Sequence, residues 1–418
     1  MLTDSLPPPH RPFLVRSINA LGRLLARLGP ALPRLDEAEL LAAARKRTSL
    51  DDFGPDHFRI GLRVLIDSIE REAELNQVGR FTARKLILDL LCLRLRLIDH
   101  WKRHPEVMEE KIERPLFVLG LPRTGTTILY NLLAQDPAHR SPLSWEVAHP
   151  TPPPETATYE TDPRIAKYER DLTAVRRLAP TFQAIHPIGA RLPQECISIT
   201  ACEFASAQFE LFFNIPTYQE WYKQRSMRES YRFHRKFLQH LQSRCPGKRW
   251  VLKSPAHLNT LETLLSEYPD AMIVQTHRDP LEITPSVSSL EYSMRGIASD
   301  AIDPYVIGEQ QTRLWSSALD RCVAFRDAHP GHAQQFVDIQ FEEILADPIA
   351  CVRKVYDRFG LDLSAQAESR MRSFLADNQR DKHGAHHYTL EMFGLDEAGV
   401  SRYYENYCER FGVVRVAK

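Results

Sequence analysis

The sequence predicts an α/β fold: a parallel sheet flanked by helices, with an added N-terminal helical region. Three observations predict it. Short apolar runs of strand length recur after residue 114, at 116–119, 249–253, 271–276 and 335–339. They are continuous rather than alternating, as in strands buried on both faces. Helical patterns stand between them, and alternating strands and helices argue for a parallel sheet. Finally, the glycine-rich loop "GLPRTGTT" joins the first strand to the first helix of the sheet, which makes the unit P-loop-like. In such sheets ligands bind beyond the carboxyl ends of the strands, where the distinctive polar residues of this chain fall.

Taken in order, residues 11–34 set Arg11, Arg16, Arg23, Arg27 and Arg34 among Phe13, Leu14, Ile18, Leu21, Leu24 and Leu25. Packing on its own fold is the expected use of such a face, and contact with a membrane surface is the alternative. This end lacks the apolar core and cleavage site of a secretory leader. No run of about 18 apolar residues occurs, so no transmembrane segment is expected. Helices are expected over 36–47, behind Asp36 as N-cap, and over 56–76 and 82–103. Residues 1–110 therefore read as a helical region packing on the core, and 111–418 as the α/β domain. A helix carrying Ile128, Leu129, Leu132 and Leu133 follows the glycine loop and stops before Pro137. The proline-rich stretch 149–163 reads as an exposed loop. Residues 201–222 hold Phe204, Phe209, Phe212, Phe213, Trp221 and Tyr222, which suit core packing before an acceptor pocket. Helices then follow the later strands, over 257–268, from near Leu281 and over about 348–359.

Bulk composition excludes several classes. Lys+Arg and Asp+Glu balance at 54 each over 418 residues, with no basic excess to suggest nucleic acid. The seven cysteines form no C-x-x-C pair and are odd in number. That argues against a disulfide framework or zinc site and for reduced thiols in the cytoplasm. His383, His386 and His387 lie close together without the ligand set of a metal site, so no metal is expected.

The loop has chemistry of its own. Gly120 and Gly125 have the spacing of G-x-x-x-x-G-K-[ST], and Thr127 stands at its Ser/Thr position. Thr126 stands where the lysine would be. Backbone N–H groups and the helix N-terminus converge there on a phosphate or sulfate, and Arg123 adds a forked donor. The missing lysine is the one that reaches the β- and γ-phosphates of a nucleoside triphosphate. No obvious acidic partner for magnesium follows either, so triphosphate hydrolysis is disfavoured.

With these residues in view, the chain resembles the sulfotransferases that use 3′-phosphoadenosine 5′-phosphosulfate (PAPS). "GLPRTGTT" is similar to their loop in the bacterial and tyrosylprotein branches, which carry arginine where cytosolic members have lysine. The resemblance implies that Arg123, Thr124, Gly125, Thr126 and Thr127 hold the 5′-phosphosulfate. In "VQTHRDPLEITPSVSSL", Arg278 and Ser286 match the pair that binds the 3′-phosphate. Lys253, in "WVLKSPAHL", resembles the lysine that neutralises the leaving oxygen. Glu146, in "SPLSWEVAHP", resembles the glutamate that takes the acceptor proton, with His149 and His257 as alternates. Lys382, His383 and Gly384 resemble a segment that closes over the nucleotide. PAPS as donor, 3′,5′-ADP (PAP) as product and a small-molecule or lipid-like hydroxylated acceptor follow. The rivals are a P-loop kinase or NTPase and a non-catalytic nucleotide-binding protein.

Overall fold

The structure is a computed structural model that describes residues 6, 11–28, 34–178, 189–378 and 388–413. Five strands form the sheet: β1 (Leu116–Gly120), β2 (His139–Arg140), β3 (Arg249–Lys253), β4 (Met272–His277) and β5 (Phe336–Gln340). Their order is β2-β3-β1-β4-β5, and all are parallel. Every residue of β1 and β4 is buried, which is why β1 and the first half of β4 run apolar without alternation, while Gln275, Thr276 and His277 are buried polar residues at the end of β4. Val118 pairs with Lys253, and Gly120 with Thr276. This register brings the ends of β3, β1 and β4 to one edge, so Lys253, the glycine loop and Arg278 emerge side by side.

The two faces of β1 feed two apolar clusters. Phe117 and Leu119 join Leu252, Ile273 and the N-terminal helices through Leu40, Leu62 and Leu91. Leu116 and Val118 pack instead on Leu129, Leu132 and Leu133 and on Val352 and Val355. The first of these clusters buries α2 (Glu37–Thr48), α3 (Phe58–Glu72) and α4 (Gln77–Arg103) against the sheet. The second holds α5 (Thr126–Leu133) and the helix Pro348–Phe359. Asp36 caps α2 as expected, accepting a hydrogen bond from the Glu39 N–H at 2.9 Å.

The first helix, α1 (Phe13–Leu28), packs on its own fold. Asn19 accepts from the Val78 N–H at 3.1 Å, and Gly22 sits against Gln77 too closely for a side chain. Just before the helix, Arg11 bonds the Gly296 and Ser299 carbonyls and pairs with Asp300. Phe13, Ile18 and Leu21 stay exposed on the opposite side. Among the described residues no helix is long and apolar enough to cross a membrane.

Several expectations shift. The segment expected as one helix over 257–268 is a 3₁₀ turn, Pro255–Asn259, followed by a helix, Leu261–Glu267. The helix after β4 spans Pro280–Ala298 behind Asp279, whose carboxylate accepts from the Leu281 N–H at 2.9 Å. It runs through Pro285, which lies past the first turn and so leaves the Leu281 carbonyl without its helical donor. The stretch 149–163 is not wholly exposed, because Pro153 and Pro154 are buried. The aromatic residues Phe204, Phe209, Phe213 and Tyr222 belong to the first apolar cluster. They fill core.

Candidate functional site

The glycine loop is shaped by close approach. Gly120 has φ +146°, and a Cβ there would lie 2.3 Å from the Thr276 hydroxyl oxygen. Gly125 caps α5 with φ +88°, and its Cβ would lie 2.6 Å from Ile344. Neither position admits another residue without displacing the loop. Arg123 also has positive φ, 70°, a strained value for a side-chain-bearing residue. The turn presents the Arg123 carbonyl to Arg278, whose Nη1 donates to it at 2.9 Å. Among the described residues no acceptor takes the backbone N–H groups of residues 123–127. They are the orphan donors of a helix start.

The side chains of the loop divide into two sets. Thr124 is buried, and its hydroxyl donates to the Leu121 carbonyl and meets the Thr276 hydroxyl at 2.5 Å. It ties β1 to β4, and only its backbone remains for a ligand. Thr126 is buried, whereas Thr127 is exposed and accepts from Lys253 Nζ at 3.3 Å. Arg123 is paired with no carboxylate among the described residues. Burial and the neighbouring Arg278 guanidinium both push its guanidinium below the ordinary value.

Arg278 follows β4 and is held from three sides. It donates to Glu282 at 2.9 Å through Nε, reaches the Arg123 carbonyl, and stacks its guanidinium 4.0 Å from the Phe341 ring centre. Its backbone N–H donates to the Tyr407 hydroxyl at 3.4 Å. His277, one residue earlier, hydrogen-bonds Asp338 at 2.8 Å and stacks on Phe411. Burial works against the Asp338 charge, yet hydrogen bonds from Arg326 and His277 hold its carboxyl well below the usual range. Ser286 is half-buried on the following helix, and no described residue takes its hydroxyl.

Lys253, at the end of β3, is buried and donates to Glu195 at 2.5 Å as well as to Thr127. Sequence reasoning missed Glu195. It lies 58 positions before Lys253 and in no motif, and no periodicity marks it.

Glu146 stands elsewhere than its expected role requires. It is fully buried, with one oxygen 2.6 Å from Arg140 Nη2 and the other 2.8 Å from the Leu143 N–H. Both oxygens are occupied and closed to solvent, so its geometry is that of a helix cap and a buried ion pair. His257 is likewise buried, its Nδ1 2.6 Å from the Tyr231 hydroxyl, and burial pushes its pKa down to about 3. His149 meets Lys167 at 2.9 Å. Among the described residues, none of these three is hydrogen-bonded to the loop. Lys382, His383 and Gly384 lie outside the described residues.

The loop therefore offers a row of free N–H groups with Arg123 among them, Lys253 on one side and Arg278 on the other. Such an arrangement suits an anion with more than one charged group. A cavity of about 640 Å³ beside β5, lined by Val337, Asp338, Arg353 and Lys354, takes no part in it. Among the described residues no group of three His, Cys, Asp or Glu side chains is placed to hold a metal ion.

Known proteins share this architecture. The profile of a family described as "Sulfotransferase family" matches residues 115–365. The omega-hydroxy-beta-dihydromenaquinone-9 sulfotransferases Stf3 of Mycobacterium bovis and Mycobacterium tuberculosis are 25% identical over 318 residues, 72% of this chain and 76% of theirs. The crystal structure of sulfotransferase STF1 from Mycobacterium tuberculosis superposes with a TM-score of 0.80 at 33% identity, covering 90% of this chain and 99% of that one. That of STF9 from Mycobacterium avium gives 0.83 at 29% identity, covering 91% and 98%.

Proposed function

The chain belongs to the sulfotransferase family, and we propose that it moves the sulfuryl group of PAPS to a hydroxyl of a lipid-like acceptor. The observation that carries the donor assignment is Arg123, without a carboxylate partner among the described residues, beside loop N–H groups that no described acceptor takes, with Arg278 touching the same loop. Arg123 and the N–H groups of residues 123–127 hold the 5′-phosphosulfate. Arg278 and Ser286 hold the 3′-phosphate, for which Arg278 exchanges its bond to Glu282. Lys253 faces the oxygen between sulfur and phosphorus, where charge grows as the bond breaks. Binding both phosphates fixes the sulfur in position before the acceptor arrives. PAP leaves as product, and none of these steps calls on a metal. Lys382, His383 and Gly384, outside the described residues, are assigned to nucleotide contact in the same scheme.

The lipid-like acceptor is supported by the Stf3 relatives, named for a menaquinone derivative bearing an omega-hydroxyl. The exposed Phe13, Ile18 and Leu21 of α1 would bring the enzyme to a surface that holds such a molecule. We divide the chain near residue 110, into a helical region and a catalytic domain, because the family match begins at residue 115. Seven free thiols suit a reducing, cytoplasmic setting.

Calorimetric titration with PAP, and with adenosine 5′-phosphosulfate, which lacks the 3′-phosphate, tests the donor site. Arg278→Ala weakens PAP binding roughly 10- to 100-fold, the value of a charge-assisted hydrogen bond, and leaves the second ligand nearly unchanged. Equal losses for both would overturn the 3′-phosphate assignment. Binding of ATP with magnesium but not of PAP would overturn the donor itself. Labelled PAPS offered with geranylgeraniol and with 4-nitrophenol then tests the acceptor.

A further inference from the structure

We propose that Glu195 is the general base of the transfer, an assignment that rests on the function proposed above. Among the described residues two carboxylates form ion pairs with the cations of the loop edge. Glu282 is engaged by Arg278, on the 3′-phosphate side. Glu195 is engaged by Lys253, on the side where the sulfur–oxygen bond breaks. One oxygen of Glu195 lies 2.5 Å from Lys253 Nζ, and no described residue donates to the other. Its side chain is 15% exposed, so it opens toward solvent, whereas Glu146 is sealed on both oxygens.

Glu195 is held where it is by the helix that the glycine loop begins. Tyr130, on α5, donates its hydroxyl to the Gln194 carbonyl at 3.0 Å. The Gln194 N–H donates to the Pro142 carbonyl at 2.8 Å, and Pro193 bridges to Leu143. The strap carrying Glu195 is thus bolted to the element that presents Thr127, and Thr127 shares Lys253 with it. Lys253 has three donors. Two are engaged here, and the third is left for the leaving oxygen.

The step balances as follows. The acceptor O–H proton passes to the free oxygen of Glu195 as the acceptor oxygen bonds to sulfur. The bond from sulfur to the bridging oxygen breaks, and its electron pair stays on the 5′-phosphate of PAP, beside the Lys253 ammonium. The Glu195 proton then leaves to solvent. A single ammonium therefore touches both the base and the departing charge, so proton removal and bond cleavage take place across one side chain.

The test is Glu195→Gln, read with two acceptors and by binding. Loss of a positioned base costs a reaction roughly 10²- to 10⁴-fold. That loss is expected for geranylgeraniol, whose hydroxyl is weakly acidic, and a much smaller one for 4-nitrophenol, which is largely ionised without help. PAP affinity, measured by calorimetry, is kept or rises a few-fold as Lys253 is freed. Equal loss with the two acceptors would overturn the role, because a merely structural residue affects both alike. So would full activity with geranylgeraniol. Wild-type chain that binds PAP but sulfates neither probe would overturn the acceptor class and the base together. Wild-type chain that fails to bind PAP would overturn the donor assignment instead, which separates the two failures.

Discussion

Glu146 and Arg140 form an ion pair with almost no access to water: Glu146 is 0% exposed and Arg140 7%. Arg140 is further enclosed by the Leu241 carbonyl and the Trp250 ring. Removing one partner of such a pair leaves a buried charge without compensation, at a cost of roughly 3 to 5 kcal/mol. Glu146→Gln is therefore expected to lower the urea midpoint of unfolding sharply, with PAP binding by the folded fraction retained. Unchanged stability with abolished turnover would instead return Glu146 to the chemistry. The residues readable from sequence were those tied to a strand end: Arg123, Lys253 and Arg278 each follow an apolar run, and the parallel sheet gathers such positions at one edge. Glu146 stood at a plausible offset, but an offset does not say which way a carboxylate points. Glu195 was illegible because its place depends on a strap that reaches α5 through Tyr130, a contact 64 positions apart.

Among the elements, β1, β3, β4 and β5 were legible through their apolar residues, whereas β2, only His139 and Arg140, has no apolar run and left no signal. Helices were legible where a cap announces them, as Asp36 does, and less so through residues 144–245. There short helices such as Cys196–Thr200 and Gln208–Phe212 offer too few turns for a periodicity to register. Two of the elements meet through an acidic contact that the pattern did not reveal. Glu210, on the helix Gln208–Phe212, faces Glu291 on the helix Pro280–Ala298, and both are buried. Arg295 pairs with Glu291 at 2.6 Å, and Gln219 donates to Glu210 at 2.7 Å. Burial, then the charge of Glu291, raise the Glu210 pKa to about 7. A carboxyl raised in the folded state keeps its proton after the unfolded chain has lost its own. Its contribution is greatest at low pH and declines as pH rises from about 4.5 to about 7. Glu210→Gln is expected to match the parent near pH 4.5 and to be more stable at pH 8 by on the order of 2 to 3 kcal/mol. Urea titrations at the two pH values check this, and a gap of the same size at both would contradict it.

At the scale of the whole molecule, the fold class and the sheet edge that carries the loop were legible, whereas the covering of that edge was not. The N-terminal helices share one apolar cluster with the sheet. α1 rests on them by one face and turns Phe13 and Leu21 outward beside the exposed Arg16. A face of this kind binds an anionic lipid surface through apolar insertion and positive charge. Co-sedimentation with phosphatidylglycerol vesicles is expected for the parent chain, and Phe13→Ser with Leu21→Ser is expected to weaken it at least tenfold at unchanged PAP affinity. Equal sedimentation of the two would remove α1 as the contact.

The Tyr407 hydroxyl under the Arg278 N–H joins residues 129 positions apart. A contact of that sequence separation needs the chain out to Tyr407, whereas the glycine loop needs only β1 and α5. Arg278 therefore owes part of its placement to the far end of the chain. A chain cut short before Tyr407 would keep the whole glycine loop and lack the residue that steadies Arg278. On the proposed donor assignment, PAP would therefore favour complete molecules over such fragments.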